Sequence, residues 1–208
     1  MRILLRIGLS LGLCSALGLA ACSPPVKSDN IETASTNVWQ LINDASHLNF
    51  ISIKKGTVVE NHSFSELSGS VNAAGDARIL IALDSVQTNI DIRNERMRTY
   101  LFETNTTPTA TLTTKLDMTQ FADMKIGARQ EISATIVVHM HGKTESLGAD
   151  MIVTRLGANK IAVESREPIL VHIDSFGMTA GVEKLRELAK LPSITPVVPI
   201  SFSLVFER

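Results

Sequence analysis

The 208-residue sequence is short of several things, and each shortage narrows what the protein can do. Charge of one sign is missing. Twenty basic side chains face 21 acidic ones, for a formal net charge of −1, so no cationic field draws in a polyanion and nucleic-acid binding is a poor fit. There are only two cysteines, Cys14 and Cys22. No G-x-S-x-G elbow, H-E-x-x-H pair or phosphate-binding glycine loop occurs, so nucleophilic and metal-dependent catalysis have no local motif behind them. Aromatic residues number nine: seven Phe, one Tyr and one Trp. Internal repeats and low-complexity tracts are absent. What is present, 44% apolar and 20% charged residues, suits one folded domain or two small ones.

The first segment is an export signal. Met1, Arg2 and Arg6 precede a weakly polar to apolar run from Ile7 to Ala21, the charged-then-apolar order of a secretory leader. The run is too short for a comfortable membrane span. It closes in Leu19-Ala20-Ala21-Cys22, which resembles the lipobox of bacterial lipoproteins, whose cysteine thiol receives a diacylglyceryl group and becomes the mature first residue. An ordinary signal peptide with an incidental cysteine is the alternative, and either one exports the chain. Loss of residues 1–21 removes Arg2, Arg6 and no acid, leaving 18 basic against 21 acidic groups, a net −3. Cys14 leaves with the leader, so no free pair remains for a disulfide. Acyl chains contribute about 0.8 kcal/mol per buried methylene and would hold the protein on a membrane surface. Ser23, in place of an aspartate, favours the outer membrane in enteric-type sorting, on the periplasmic face of the cell envelope. The lipidated cysteine and a tether occupy residues 22–38. From Ser23 to Asn37 this tether is polar with two prolines, and spans about 50 Å at full stretch. The folded body is 39–208.

Within that body, apolar residues come in short alternating runs broken by Gly, Asn and Asp, the pattern of antiparallel β structure. In the last run Val198, Ile200, Phe202, Leu204 and Phe206 share one face. Ile132, Ala134, Ile136, Val138 and Met140 do so in another, and Ile79, Ile81 and Leu83 in a third. Further strands are expected at 46–54, in a bent stretch 57–71 containing Gly69, and at 109–117, 144–156 and 160–166, with a hairpin tip at His141-Gly142-Lys143. Two segments turn toward helix: Asp91 to Phe102, and Thr179 to Lys190, where Val182, Leu185 and Leu188 recur at threefold spacing before Pro192. Eight or nine strands with one-sided apolar faces must close on each other as a barrel or a sandwich. The expected fold is all-β and mainly antiparallel: a lipocalin-like β-barrel of about eight strands with one or two short helices at its mouth.

Several motifs in order resemble the YceI-like family of exported bacterial proteins. They begin with Trp39-Gln40-Leu41, Ser46-His47-Leu48-Asn49-Phe50, His62-Ser63-Phe64 and Leu67-Ser68-Gly69. Asp84-Ser85-Val86-Gln87-Thr88-Asn89 follows, then Arg93, Met97, Arg98 and Phe102, and Pro108-Thr109-Ala110-Thr111. The Gly142-Lys143-Thr144 turn, Asp174-Ser175-Phe176-Gly177-Met178 and Val198-Pro199-Ile200-Ser201-Phe202 complete the set. Their order and spacing cover roughly Trp39 to Phe206. The resemblance implies a barrel whose apolar cavity holds a long isoprenoid or another amphiphile, with no established catalytic apparatus and no cofactor beyond that lipid. Asn94 stands where many members carry an acid, and Arg96 where a histidine often sits.

Alternation nominates a cavity lining of Ile79, Ile81, Leu83, Leu112, Ile136, Val138, Met140, Ile200, Phe202 and Leu204, with Phe102, Phe176 and Met178 near a mouth. The same residues would equally fill a solid core. Burying ten methylenes of a prenyl chain there would gross roughly 8 kcal/mol before binding entropy is subtracted. Arg93, Arg96 and Arg98 either neutralise a headgroup at the entrance or form a solvated helix face. His139 and His141, two apart, are expected on one strand face with Glu131, Ser133 and Thr135, a face that meets water, and no metal site is expected. The reading is a membrane-anchored, non-catalytic carrier or sequestering protein for a polyisoprenoid-type lipid, with segments 91–102 and 174–191 as gates. Its rivals are a solid-cored envelope interaction protein and a hydrolase or metal-dependent enzyme.

Overall fold

The computed structural model describes residues 38–208. The expected leader 1–21, the acylation position Cys22 and the tether as far as residue 37 lie outside the described residues. From Trp39 the chain runs through β1 (Trp39–Leu41), β2 (His47–Lys54), β3 (Val58–Phe64), β4 (Leu67–Val71), β5 (Asp76–Ala82) and β6 (Val86–Gln87). A helical segment follows, α1 (Asp91–Arg96), continued by a π-helical turn over Met97–Leu101. Next come β7 (Thr109–Lys115), β8 (Arg129–Met140), β9 (Lys143–Gly157), β10 (Lys160–Ser165) and β11 (Ile169–His172). Helix α2 (Thr179–Leu188) and β12 (Val197–Glu207) finish the chain.

These twelve segments make eight barrel strands, because β1–β2, β3–β4, β5–β6 and β10–β11 are each one strand interrupted in the middle. All pairings are antiparallel between chain neighbours, and the last strand returns to the first. β12 pairs with β10 and β11 on one edge and with β1 and β2 on the other. Phe206, for instance, sits opposite both Ile161 and Leu41. Closure leaves no open edge and makes every inward side chain face the same interior. The alternation expected in β8 appears as strict alternation of exposed and covered residues from Arg129 to Met140.

The expected bent stretch 57–71 is one such wall strand, interrupted at Ser65–Glu66 into β3 and β4, with Gly69 inside β4. At that corner Ser65 N donates to Ser85 O (3.2 Å), Glu66 N to Ser85 Oγ (3.1 Å) and Leu67 N to Asn43 Oδ1 (2.7 Å). Partners distant in sequence thus satisfy the backbone where the ladder is interrupted. Gly69 has a different role. A Cβ there would lie 2.6 Å from both Arg78 O and Ile79 Cδ1, so its lack of a side chain lets β4 approach β5. Leu83, expected within the third run, lies in a single 3-10 turn just after β5. Strands β6 and β11 were not expected; both are short and carry too few residues to show a period.

The two ends of the barrel are covered differently. At one end the segment between β7 and β8, with a turn at Met118–Phe121, folds over the opening. At the other, α2 packs across the π turn that follows α1. The approach there is so close that a Cβ on Gly181 would lie 2.4 Å from Tyr100 O and 2.9 Å from Leu101 Cα. Among the described residues no helix is long and apolar enough to cross a membrane.

Gly181→Ala should destabilise the fold by about 1–3 kcal/mol through overpacking, despite alanine's intrinsic helix preference of roughly 1 kcal/mol over glycine. Gly148→Ala, where nothing lies within 4 Å of the added carbon, is the control and should stay within about 0.5 kcal/mol of wild type. Chemical denaturation of the three proteins measures both.

Candidate functional site

Inside the barrel three cavities follow one another along its axis. The innermost, about 110 Å³, lies toward the Met118–Phe121 end and is bounded there by Met118, Phe121, Met124 and Trp39. The Trp39 ring is covered by the guanidinium carbons of Arg155 at 5.4 Å and Arg208 at 4.5 Å, a cation–π arrangement that seals this end. The second cavity, about 130 Å³, has an entirely apolar wall. Leu48, Leu112, Ile136 and Phe202 belong to both and form a waist between them. The third, about 330 Å³, opens beneath α1 and α2 and shares Phe50, Leu101, Ile173 and Val198 with the second. It alone carries an ionisable cluster: Lys54, Glu60, His62, Arg93 and Arg96, with Ser52 and Thr195.

All thirteen residues nominated as lining face this interior. Ile79 and Leu204 border the innermost cavity, and Leu112, Ile136 and Phe202 form part of the waist. The remaining eight, including Phe102, Phe176 and Met178, line the middle cavity. Burial agrees: Leu83 and Phe176 are 2% and 1% exposed. Few aromatics and many Ile, Val, Leu and Met side chains leave the middle of the barrel unfilled, the condition under which an eight-stranded barrel encloses a ligand.

The three arginines part company. Arg93 and Arg96 line the outer cavity, whereas Arg98 donates to Asp84 O at 3.3 Å and is not part of the wall. Arg93 is heavily engaged. Its Nε donates to Thr88 Oγ1 (2.9 Å), its Nη1 to Glu60 Oε2 (2.7 Å) and its Nη2 to Thr88 O. Buried Asn94 accepts from Thr88 N (2.9 Å) and Thr88 Oγ1 (2.6 Å), so the residue that departs from the family pattern anchors the loop before α1. Lys54 Nζ lies 2.6 Å from the same Glu60 oxygen. Burial pushes the Glu60 carboxyl up, but the Lys54 hydrogen bond and the Arg93 charge outweigh it and hold the group below its ordinary range. Among the described residues Arg96 reaches only Leu188 O, at 3.4 Å.

His139 and His141 do not share a face. His139 lies on the exposed side of β8, with Nδ1 3.0 Å from Thr144 Oγ1, while His141 is in the following turn at φ 52°, its Nδ1 3.2 Å from Phe176 O. His141 sits in the expected hairpin tip, just past the end of β8 at Met140, and its positive φ turns it off the strand face.

Besides the nominated Arg93 and Arg96, the mouth holds Ser52, Lys54, Glu60 and His62, none of which sequence reasoning put forward as a site residue. His62 is 4% exposed, its ring tilted 54° to that of Phe50 with centroids 5.1 Å apart, and its Nε2 lies 2.8 Å from Ser52 Oγ. Desolvation, helped by the nearby Arg93 charge, lowers its pKa from 6.5 to about 4. No local period marks these residues, because they meet only through the β2–β3 register that sets Phe50 opposite His62 and Ser52 opposite Glu60.

The family model described as the YceI-like domain matches residues 39–206. The chain belongs to the YceI-like family. A solved structure of a polyisoprenoid binding domain from Saccharophagus degradans, implicated in plant cell wall breakdown, is 40% identical, with a TM-score of 0.80, covering 81% of this chain and 97% of that one. BcnA of Burkholderia cenocepacia, at 19% identity and a TM-score of 0.62, covers 79% of this chain and 98% of its own and shares the fold. No curated protein sequence matches. The YceI-like barrel here is thus a closed, eight-stranded antiparallel one, with an apolar interior leading to a single charged mouth among the described residues.

Because folded His62 resists the proton that the unfolded chain accepts, stability should fall as pH drops from about 6.5 toward about 4. The loss amounts to about 3 kcal/mol. His62→Phe should lack this component, so urea titrations at pH 7 and pH 4 should show the wild type losing that much more than the variant.

Proposed function

We propose that this YceI-like protein is a non-catalytic lipid-binding protein that sequesters or carries a polyisoprenoid or similar amphiphile, its chain in the two apolar cavities and its head at the mouth. The observation carrying the reading is the polarity of the bore: two cavities with almost wholly apolar walls continue into one that holds Lys54, Glu60, His62, Arg93 and Arg96. An amphiphile has the same sequence of surfaces. The relative at 40% identity is described as a polyisoprenoid binding domain, which supports the same ligand class. Affinity would come from desolvating the chain, at about 0.8 kcal/mol per methylene before the entropy of binding is subtracted.

The thirteen lining residues would contact the chain, and Arg93 and Arg96 would stand at its head. Arg98 has no place in that contact. Segments 91–102 and 174–191 bracket the mouth and serve as the gate, since a long chain must pass between them. The Leu19-Ala20-Ala21-Cys22 leader end supports acylation at Cys22. That anchor would hold the barrel at the periplasmic face of a membrane, the outer one by the Ser23 rule, beside the bilayer from which its ligand is drawn. No cofactor other than the lipid enters this mechanism.

Native mass spectrometry of the protein made in a bacterial periplasm, followed by organic extraction, tests the reading. A stoichiometric isoprenoid is the expected result; an apo mass together with failure to take up added prenyl lipids would favour the solid-cored alternative. Leu112→Trp fills the waist between the cavities. It should therefore weaken an eight-isoprene chain at least tenfold relative to wild type while sparing a three-isoprene chain, as read by competition with a fluorescent prenyl probe.

A further inference from the structure

The rim of the mouth is itself apolar. Among the described residues nine large apolar side chains are exposed, and four of them stand at this opening: Val58, Val59, Ile90 and Ile92, each between 40% and 60% exposed. The opposite end of the barrel presents two, Ile126 and Leu156. The four come from two segments that one ion pair brings together. Val58 and Val59 open β3 beside Glu60, whose carboxylate accepts from Arg93, the residue after Ile92. Ile90 and Ile92 also border the outer cavity, so the apolar surface continues from the rim into the interior. The β2–β3 hairpin tip is fixed in place, with Lys55 N donating to Ser193 O (3.1 Å) and Thr195 N to Ile53 O (2.8 Å). A rim held this firmly keeps its aliphatic groups in water, at a cost that contact with hydrocarbon removes.

Area, charge and reach together select a lipid bilayer as what covers this rim. About half exposed, the four side chains present on the order of 300 Å² of apolar surface, well short of the roughly 800 Å² per partner that a stable dimer buries. The charges beside them nearly cancel. Lys54 and Arg93 share Glu60. Lys55, Lys190 and Arg96 remain against Asp91 and Glu95, none of the five in an ion pair among the described residues. One net positive charge suits zwitterionic or anionic headgroups and is too weak to select a charged protein. The third argument is length. β12 runs from the mouth, where Val198 borders the outer cavity, to Glu207 next to Gln40 near the start of the barrel. Its 11 residues span about 37 Å. The expected tether, about 50 Å at full stretch, is longer than this wall, so an anchor at Cys22 lets the mouth reach the same bilayer.

We propose that the rim formed by Val58, Val59, Ile90 and Ile92 docks mouth-first on the bilayer. A prenyl chain then passes between membrane and bore without crossing water, and the gate opens against lipid. This rests on the lipid-binding reading above and adds to it the surface through which the ligand is exchanged.

The test uses the protein made in a bacterial host with its leader intact and mixed with phosphatidylcholine vesicles. Val59→Cys and Ile126→Cys each take one environment-sensitive fluorophore, and wild type treated in the same way corrects for any labelling of Cys22. The label at residue 59 should shift to the blue and be quenched by lipid-borne spin labels, while the label at residue 126 stays as in water. Val59→Asp should slow extraction of a fluorescent prenyl lipid from the vesicles about fivefold or more, with affinity for the same probe in solution kept within about twofold. Quenching at residue 126 instead of 59, or at neither, would overturn mouth-first docking. So would an unchanged extraction rate in Val59→Asp, or a blue shift at residue 59 that appears without vesicles as the protein dimerises. Each of those outcomes leaves the lipid-binding reading standing as long as wild type takes up the probe from solution. Failure of that uptake would overturn the lipid-binding reading and this inference with it.

Discussion

The whole interior depends on the pairing of the C-terminal strand with both ends of the meander. β12 is hydrogen-bonded to β10 and β11 on one side and to β1 and β2 on the other. Without that return the sheet would have two bare edges, and its apolar face would have to be covered by something else. With it, the inward residues of eight strands converge on one axis. A core assembled mostly from Ile, Val, Leu, Ala and Met leaves space along that axis, where more aromatic residues would have filled it.

Interruptions in four of the strands set the shape of the barrel. Where β3 gives way to β4, and β5 to β6, the backbone is satisfied by Ser85 and Asn43 instead of by ladder neighbours. The wall can therefore bend without leaving buried polar groups unpaired. The π turn after α1 has a comparable effect: it carries Leu101 and Phe102 to the interior while leaving Tyr100 at the surface. Gly181 then lets α2 lie against that turn at backbone distance, so the two helical segments form one cover over the mouth.

Electrostatics at the mouth follow from the same geometry. Glu60 is the shared counterion of Lys54 and Arg93, and it keeps two cations at the rim from confronting each other across a low-dielectric opening. The cluster ties β2, β3 and α1 together, linking wall to cover. His62, one step further in, is kept neutral by the burial that makes the bore apolar. Charge at the rim, neutrality below it and hydrocarbon beneath that are consequences of one gradient in solvent access.

How much of this was written locally can be judged residue by residue. Two-residue alternation in 132–140 and 198–206 identified which side chains share a face, because a strand's period is local and independent of its partners. The nine nominated lining positions that lie in strands, from Ile79 to Leu204, face the interior for that reason, whereas Leu83, Phe102, Phe176 and Met178 lie in turns or helix ends and reach it through packing. Motif order pointed to the family in the same way. The break at Ser65–Glu66, the divergent placement of His139 and His141 and the outward turn of Arg98 were not legible, since each depends on a partner supplied by another part of the chain. The mouth cluster is the plainest case, with Glu60 and Arg93 meeting across 33 residues of sequence. By itself, then, the sequence determined strand character, sidedness and family membership. Only the tertiary structure decided where the bore ends, which arginine is spent on a carboxylate and which histidine is buried at the mouth, because those are properties of register and closure, not of any one segment.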